Sequence, residues 1–320
     1  METKENRISN FLVTRSSGYI GKATLIMVVM ICYFGAMAQN TPKTINIEIS
    51  KFANPLIEKW TEEYTKANPD ITFKFVKATG QSQCDLVLNV GTSEKSNNQT
   101  SETLVNVGRL AVLPLTSDKN TLFLKQFKNG VKQNELKSIF LQSEAGIDID
   151  VDEEQKGDPL CTVYTQTPQS ASAKVLIDHF GQTTSELKGI IVTGDDKYLI
   201  ESILGDSTGV TYSNLSLIYD LNKRTQLSGI KILPIDPDNN GRLKKEELVY
   251  DNLDQLITFI ESSKNKSIPT EDISFNYNNN NNNPLIADFV NWVTSSGQKF
   301  NHQFGFLKTT DEIDRTLTQK

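Results

Sequence analysis

The sequence INIEISKFANPLIEKWTEEY, residues 45–64, joins a strand pattern to a helix pattern. Isoleucines alternate with polar residues from 45 to 49, which predicts a strand with one buried face. After the turn SKFAN, Pro55 suits the first helical position, and apolar residues recur at helical spacing until Asn68-Pro69. Two apolar segments, ITFKFV and CDLVLNV, then predict strands. Strand, helix, strand and strand in this order predict an α/β lobe.

The rest of the chain repeats the alternation of strands and helices. LVNVGRLAVLPLT (104–116) and GIKILPI (229–235) predict apolar strands, and CTVYTQTPQSASAKVLIDHFG (161–181) predicts a strand followed by a capped helix. Further helices are predicted at Leu122–Leu141, at Lys244–Ser262 and from Pro284 to about Phe300. We expect one two-lobed molecule that the chain crosses twice, along LVNVGRLAVLPLT and GIKILPI. The expected parts are 44–108 (lobe 1), 109–228 (lobe 2), 229–308 (return to lobe 1) and 309–320 (a tail).

Composition narrows the possible functions. The chain has 320 residues, 37% of them hydrophobic, and a formal charge of -6, which suits a globular protein and argues against a nucleic-acid binder. Two histidines, no G-x-S-x-G and no H-E-x-x-H argue against a hydrolytic enzyme, so we expect no enzyme. Cys84 and Cys161 either pair or act as small core residues.

The first residues have the pattern of an export signal. Residues 1–38 carry basic residues, then an apolar run at 24–38 that ends in Ala36-Met37-Ala38, a small-x-small cleavage site. The alternative is an uncleaved anchor formed by residues 24–38. Either way, we expect a periplasmic or extracytoplasmic protein that contacts the membrane only through an uncleaved N-terminal segment or a membrane partner.

Residues 236–247, DPDNNGRLKKEE, match the calcium-loop pattern D-x-[DN]-x-[DN]-G-x5-E. The spacing supplies the oxygens that calcium prefers, and Gly241 permits the sharp turn. One structural Ca²⁺ is therefore predicted, and the alternative is a metal-free turn that caps the next helix. The predicted ligands are Asp236, Asp238, Asn240, Arg242 through its carbonyl group, and Glu247.

Two predicted helix starts, SKFANP (50–55) and TPQSAS (167–172), have small, hydroxyl-rich turns. Unpaired N–H groups at a helix start can hold an anion or another acceptor-rich solute. The alternative is ordinary N-capping by Ser and Asn.

Several segments resemble the phosphate-binding proteins of ABC importers, which are type 2 periplasmic binding proteins. The similar segments are FANPLIEKWTEEY (52–64), VGRLAVLPL (107–115), CTVYTQTPQSASAKVLIDHFG (161–181), DSTGVTYSNLSLI (206–218) and FVNWVTSSGQKFNHQFGFL (289–307). The resemblance implies a two-lobed α/β fold with two hinge strands. It also implies ligand-binding roles for Lys51, Phe52, Gln166, Ser170, Ala171 and Ser172.

The chain lacks two charged residues of the family's binding site. Gln166 stands where the family has Arg, and Val90 stands where it has a ligand-facing Asp. Loss of the Arg removes a planar, bidentate donor. Either the cleft takes a different or weaker ligand, or the fold serves another purpose.

The resemblance implies a solute-binding protein that delivers phosphate or a related oxyanion to the permease subunits of an ABC importer. The alternative function is a calcium-stabilised scaffold or adhesion module that keeps the binding-protein fold and has lost the phosphate ligand.

Overall fold

The computed structural model describes residues 43–77, 84–91, 102–141, 161–183, 186–262, 266–278 and 284–311. The chain divides into two units, Met1–Lys43 and Thr44–Lys320. Lys43 is the one described residue of the first unit. The predicted export signal, 1–38, lies outside the described residues. Within the described ranges, no helix combines the length and the apolar character needed to span a membrane.

The opening segment folds as its pattern predicts. Strand β1 (Lys43–Glu48) is followed by helix α1 (Asn54–Ala67), which has Pro55 in its first turn, and by β2 (Ile71–Val76) and β3 (Val87–Val90). The apolar face of α1 is buried, with Trp60 completely covered. Asn68 ends the helix, and its side-chain amide donates to the carbonyl of Tyr64 at 3.0 Å.

A long strand, β4 (Glu102–Ser117), organises the main sheet and confirms the strand predicted at 104–116. Residues 102–111 of β4 pair with β11 (Thr270–Asn278), whereas residues 112–116 pair with β7 (Gly209–Asn214). The sheet order is β3-β11-β4-β7-β5-β6, where β5 is Thr162–Gln166 and β6 is Ile190–Val192. The short strand β10 (Ile230–Ile232) also pairs with β4. One strand thus connects two differently built halves of the sheet.

The half of the sheet that contains β7 includes the strand and the helix predicted at residues 161–181, which form β5 and α4. Its elements are α2 (Thr121–Gln126), α3 (Gln133–Phe140), β5 (Thr162–Gln166), α4 (Ala171–His179), β6 (Ile190–Val192), α5 (Lys197–Gly205), β7, α6 (Leu215–Ile218), β8 (Tyr219–Asp220), β9 (Thr225–Gln226) and β10 (Ile230–Ile232). Strands β5, β6 and β7 are parallel, which places their carboxyl ends at one edge.

Two expectations need correction. The helix predicted at Lys244–Ser262 is wrong in its first part: a single 3-10 turn forms at Lys245–Glu247, and helix α7 (Leu253–Ser262) begins only at Leu253. Asn252 sets this start, because its side-chain oxygen accepts the N–H groups of Asp254 and Gln255. Within GIKILPI only Ile230–Ile232 is strand, and the long partner of β4 is β11 instead.

The C-terminal elements close over β4. Helix α8 (Pro284–Thr294) is followed by a 3-10 helix, Ser296–Phe304. The buried side-chain amides of Gln298 and Asn301 donate to the carbonyl of Val107 at 2.9 and 3.2 Å. The described residues of 44–320 form a single unit, so the lobe boundaries given above remain a prediction.

Candidate functional site

A cavity of about 400 Å³ lies between the start of α1 and the starts of α4, α5 and α6. Residues from distant parts of the chain line it, because the C-terminal turn also reaches its wall. The lining residues are Lys51, Phe52, Pro55, Thr167, Gln169, Ser170, Ala171, Gly194, Asp195, Asp196, Ser216, Leu217, Leu221, Phe304 and Phe306.

The start of α4 faces the cavity and is well defined. Ser170 is its N-cap, and the Ser170 hydroxyl accepts the N–H of Ala173 at 3.1 Å. The first N–H groups of a helix have no intrahelical acceptor, so capping by Ser170 leaves the N–H groups of Ala171 and Ser172 for a ligand. Capping and ligand binding are therefore compatible at this helix start.

Four of the six predicted ligand-binding residues line the cavity: Lys51, Phe52, Ser170 and Ala171. The other two are fully buried behind its wall. Gln166 donates from its side-chain amide to the carbonyl of Asp195 at 3.2 Å, and its own side-chain oxygen has no hydrogen-bond partner among the described residues. Ser172 donates its hydroxyl to the Asp196 carboxylate at 2.7 Å. Both residues thus contact the aspartate pair that forms the wall.

Asp195 and Asp196 are the site residues that sequence reasoning missed. They follow the parallel strand β6 and precede α5, and ligands of open α/β sheets bind at such carboxyl ends. The GDD sequence at 194–196 was the available signal. Desolvation raises the pKa of Asp196 and the charge of Asp195 adds to this, whereas the Ser172 hydrogen bond and the charge of Lys51 lower it.

The wall opposite the aspartates is apolar. Phe52 and Phe306 pack with ring centroids 6.3 Å apart and a tilt of 46°. Phe304, Pro55, Leu217 and Leu221 extend this surface. The phenylalanines of the C-terminal FGF sequence were missed as site residues, since nothing local in the sequence separates them from ordinary core.

The predicted calcium loop forms a tight turn, with φ of +56° at Asn239 and +80° at Gly241. Asp236 is fully buried: one carboxylate oxygen accepts the N–H of Gly241 at 2.6 Å, and the other has no hydrogen-bond partner among the described residues. Asn240 accepts the N–H of Arg242 at 2.8 Å. The left-handed turn that the pattern requires is therefore present.

The ammonium group of Lys244 lies between two of the predicted calcium ligands, Asp238 and Glu247. The Lys244 ammonium contacts the Asp238 carboxylate and lies 3.4 Å from a Glu247 oxygen, and it holds the pKa of Asp238 below its usual value. The other Glu247 oxygen accepts the N–H of Lys244. The described residues contain no cluster of three His, Cys, Asp or Glu side chains arranged for a metal ion. Calcium must displace Lys244 to reach these carboxylates.

The two cysteines that were considered as a pair are not joined by a disulfide: Cys84 and Cys161 are both half-buried thiols.

The chain has the two-lobed α/β fold of periplasmic binding proteins, as the resemblance implied. It is similar over 83% of its length to an ABC-type phosphate transport receptor from Vibrio cholerae, covering 100% of that chain at 10% identity and a TM-score of 0.55. A putative phosphate ABC transporter substrate-binding protein with bound phosphate from Clostridium perfringens is similar over 83% of this chain and 100% of its own, at 12% identity and a TM-score of 0.54.

A possible phosphate binding protein from Planctomyces limnophilus DSM 3776 is similar over 86% of this chain and 96% of its own, at 14% identity and a TM-score of 0.51. No family sequence model matches the chain, and no curated protein matches it in sequence. The likeness concerns the fold.

Proposed function

We propose that this protein is an extracytoplasmic solute-binding protein of an ABC importer, which binds phosphate or a related oxyanion between its lobes and passes it to permease subunits. The observation that carries the proposal is the cavity itself. It lies beside the start of α4, with Lys51 on its wall and unused helix N–H groups at its edge. The solved structures of similar fold are described as phosphate-binding or phosphate transport proteins, which supports the same class.

The proposal assigns no catalysis to the cavity. Its charged side chains are one lysine and two aspartates, and neither histidine is among the lining residues. The Nε2 atoms of His179 and His302 instead lie 2.8 Å from Gln133 and Glu261, respectively.

Ligand-dependent stabilisation tests the proposed function. Thermal denaturation of the purified protein is measured with inorganic phosphate, sulfate, organophosphates, phosphonates and small carboxylates. A ligand at a hundred times its Kd stabilises the folded state by about 2.7 kcal/mol, so at least one compound should raise the Tm clearly. A flat response across the whole panel would favour the scaffold alternative.

We also propose that residues 236–247 bind one structural Ca²⁺. The fully buried oxygen of Asp236 that has no hydrogen-bond partner among the described residues supports this, since calcium takes oxygen ligands. Binding would require Ca²⁺ to replace the Lys244 ammonium between Asp238 and Glu247 and to draw these carboxylates toward Asp236. An affinity as weak as roughly 10⁻⁴–10⁻³ M is within the range of extracellular calcium modules. The site is tested by comparing the Tm in calcium with the Tm in chelator, for the wild type and for Glu247→Gln. If calcium and chelator give the same Tm in both proteins, the site is excluded.

A further inference from the structure

The charges on the cavity wall do not suit a simple inorganic anion. One lysine, Lys51, faces two aspartates, Asp195 and Asp196, so the ionised wall carries one more negative than positive charge. Among the residues that the structure describes, no arginine lines the cavity. A carboxylate beside an oxyanion is repulsive unless a proton or a cation lies between them. A ligand with an anionic group alone leaves the aspartates unmatched.

Asp196 is available as an acceptor for a ligand. A carboxylate offers about four lone-pair positions, and among the described contacts Ser172 is the one hydrogen-bond donor to this side chain. Ser172 is itself fixed, because it is fully buried and accepts from the Asn214 side-chain amide at 3.3 Å. Ser172 therefore fixes the position of the Asp196 carboxylate. The remaining lone pairs of this carboxylate can accept hydrogen bonds from a ligand in the cavity.

The size and the apolar wall of the cavity also favour an organic ligand over an inorganic ion. A volume of about 400 Å³ lies within the range of cavities that hold small organic ligands, roughly 300–1,000 Å³. Phe52, Phe304, Phe306 and Leu217 present ring and aliphatic surface that an inorganic tetrahedral ion leaves uncovered. A ligand with a short hydrocarbon body covers this surface.

We infer that the solute is a zwitterion, in which an oxyanion group binds Lys51 and the α4 start, an ammonium group binds Asp196, and a short apolar body packs against the phenylalanines. This inference rests on the proposed function and specifies its solute class. The shared chemistry is oxyanion plus ammonium, and the oxyanion is either a phosphonate or a carboxylate. The ammonium charge of the ligand also offsets one negative charge of the oxyanion, which explains how a cavity with an excess of acid can accept it.

Matched ligand pairs test the inference by isothermal titration. The probes are 2-aminoethylphosphonate against ethylphosphonate, 3-aminopropanoate against propanoate, and inorganic phosphate. In at least one pair, the amine-bearing member should bind roughly tenfold to hundredfold more tightly, the range expected for a hydrogen bond to a charged group. Asp196→Asn should abolish that difference, whereas Glu201→Gln, which removes an exposed carboxylate of the same helix, should keep it.

The outcomes separate this inference from the proposed function. If the amine-bearing member binds no more tightly than its amine-free counterpart in both pairs, or if inorganic phosphate binds at least as tightly as both amine-bearing compounds, the zwitterion inference is wrong and solute binding stands. The same conclusion follows if Asp196→Asn binds the amine-bearing compound as tightly as the wild type. If neither these probes nor the wider solute panel binds, both proposals fail. The comparison of ligand pairs on the wild type needs no variant, so it decides even if Asp196→Asn folds poorly.

Discussion

Asp196 gives the cleft its chemical character. It begins α5, accepts a hydrogen bond from the buried Ser172, and faces a cavity that also exposes Lys51. Partial burial of a carboxylate costs free energy that a cationic partner recovers. The Asp196 carboxylate can therefore bind a cation or a hydrogen-bond donor of the solute.

Acid should weaken binding of the amine-bearing solute. Burial raises the pKa of Asp196 above its usual value of 3.8, with Asp195 adding to the shift and Ser172 and Lys51 opposing it. Only the ionised carboxylate attracts an ammonium group, so affinity is full above the raised pKa and falls as the pH drops through it. Titration between about pH 4 and pH 7 should show this loss in the wild type. A loss of the same size in Asp196→Asn would assign the effect to another group.

Lys244 should compete with calcium in the loop 236–247. Its ammonium contacts Asp238 and lies near Glu247, so removing this charge frees two carboxylates for the metal. Lys244→Met should tighten Ca²⁺ binding, measured by titration in chelator-treated buffer, because a competing cation is gone. Lys245→Met removes an exposed neighbouring charge and serves as the control. Equal affinities in the two variants would count against a site at the lysine.

Strand β4 depends on a glycine where the C-terminal turn crosses it. A Cβ at Gly108 would lie 2.6 Å from the side-chain nitrogen of Asn301 and 3.0 Å from the carbonyl oxygen of Leu307. Gly108→Ala should therefore lower the free energy of unfolding by about 1–3 kcal/mol, as overpacking does, in a urea titration. Gly205→Ala, at the end of α5 with nothing near the new methyl group, is the control and should be neutral or stabilising. Equal destabilisation by both would refute the packing argument.

Elements with regular apolar spacing were predictable, and a helix start that is set by a capping side chain was not. Helix α1 and strand β4 follow the apolar spacing of their own residues, and the structure confirms both. The sequence after Gly241 has helical composition, yet α7 starts at Leu253 because Asn252 caps it. Capping geometry outweighed propensity there.

At the scale of the molecule, the cavity joins parts of the chain that are far apart in sequence. Lys51, Ser170 and Ala171 were found from the helix starts and the resemblance, because they lie in recognisable turns. Asp196 and Phe306 become site residues only through the folding of β6 and of the C-terminal turn onto the cleft. Side-chain partners that come together through tertiary packing leave little trace in a single sequence.

Closure around the solute is the expected motion of the whole molecule. In the proposed function, residues from several parts of the cavity wall hold one small molecule, and hinge closure around ligands is a known property of two-lobed binding proteins. Small-angle X-ray scattering should show a smaller radius of gyration when a stabilising solute is present. An unchanged radius with saturating solute would indicate a cleft that binds without closing.

The central claim is that the cavity beside Ala171 holds the solute, and a blocked cavity tests it most directly. Ala171→Trp places a large ring at the cavity wall while Ser170 remains the cap. Titration calorimetry with the best compound from the solute panel should show saturable one-site binding to the wild type. The variant should show at least a roughly hundredfold loss of affinity, and a cooperative melting transition in the absence of solute should show that it is still folded. Undiminished binding to the blocked variant would contradict the claim.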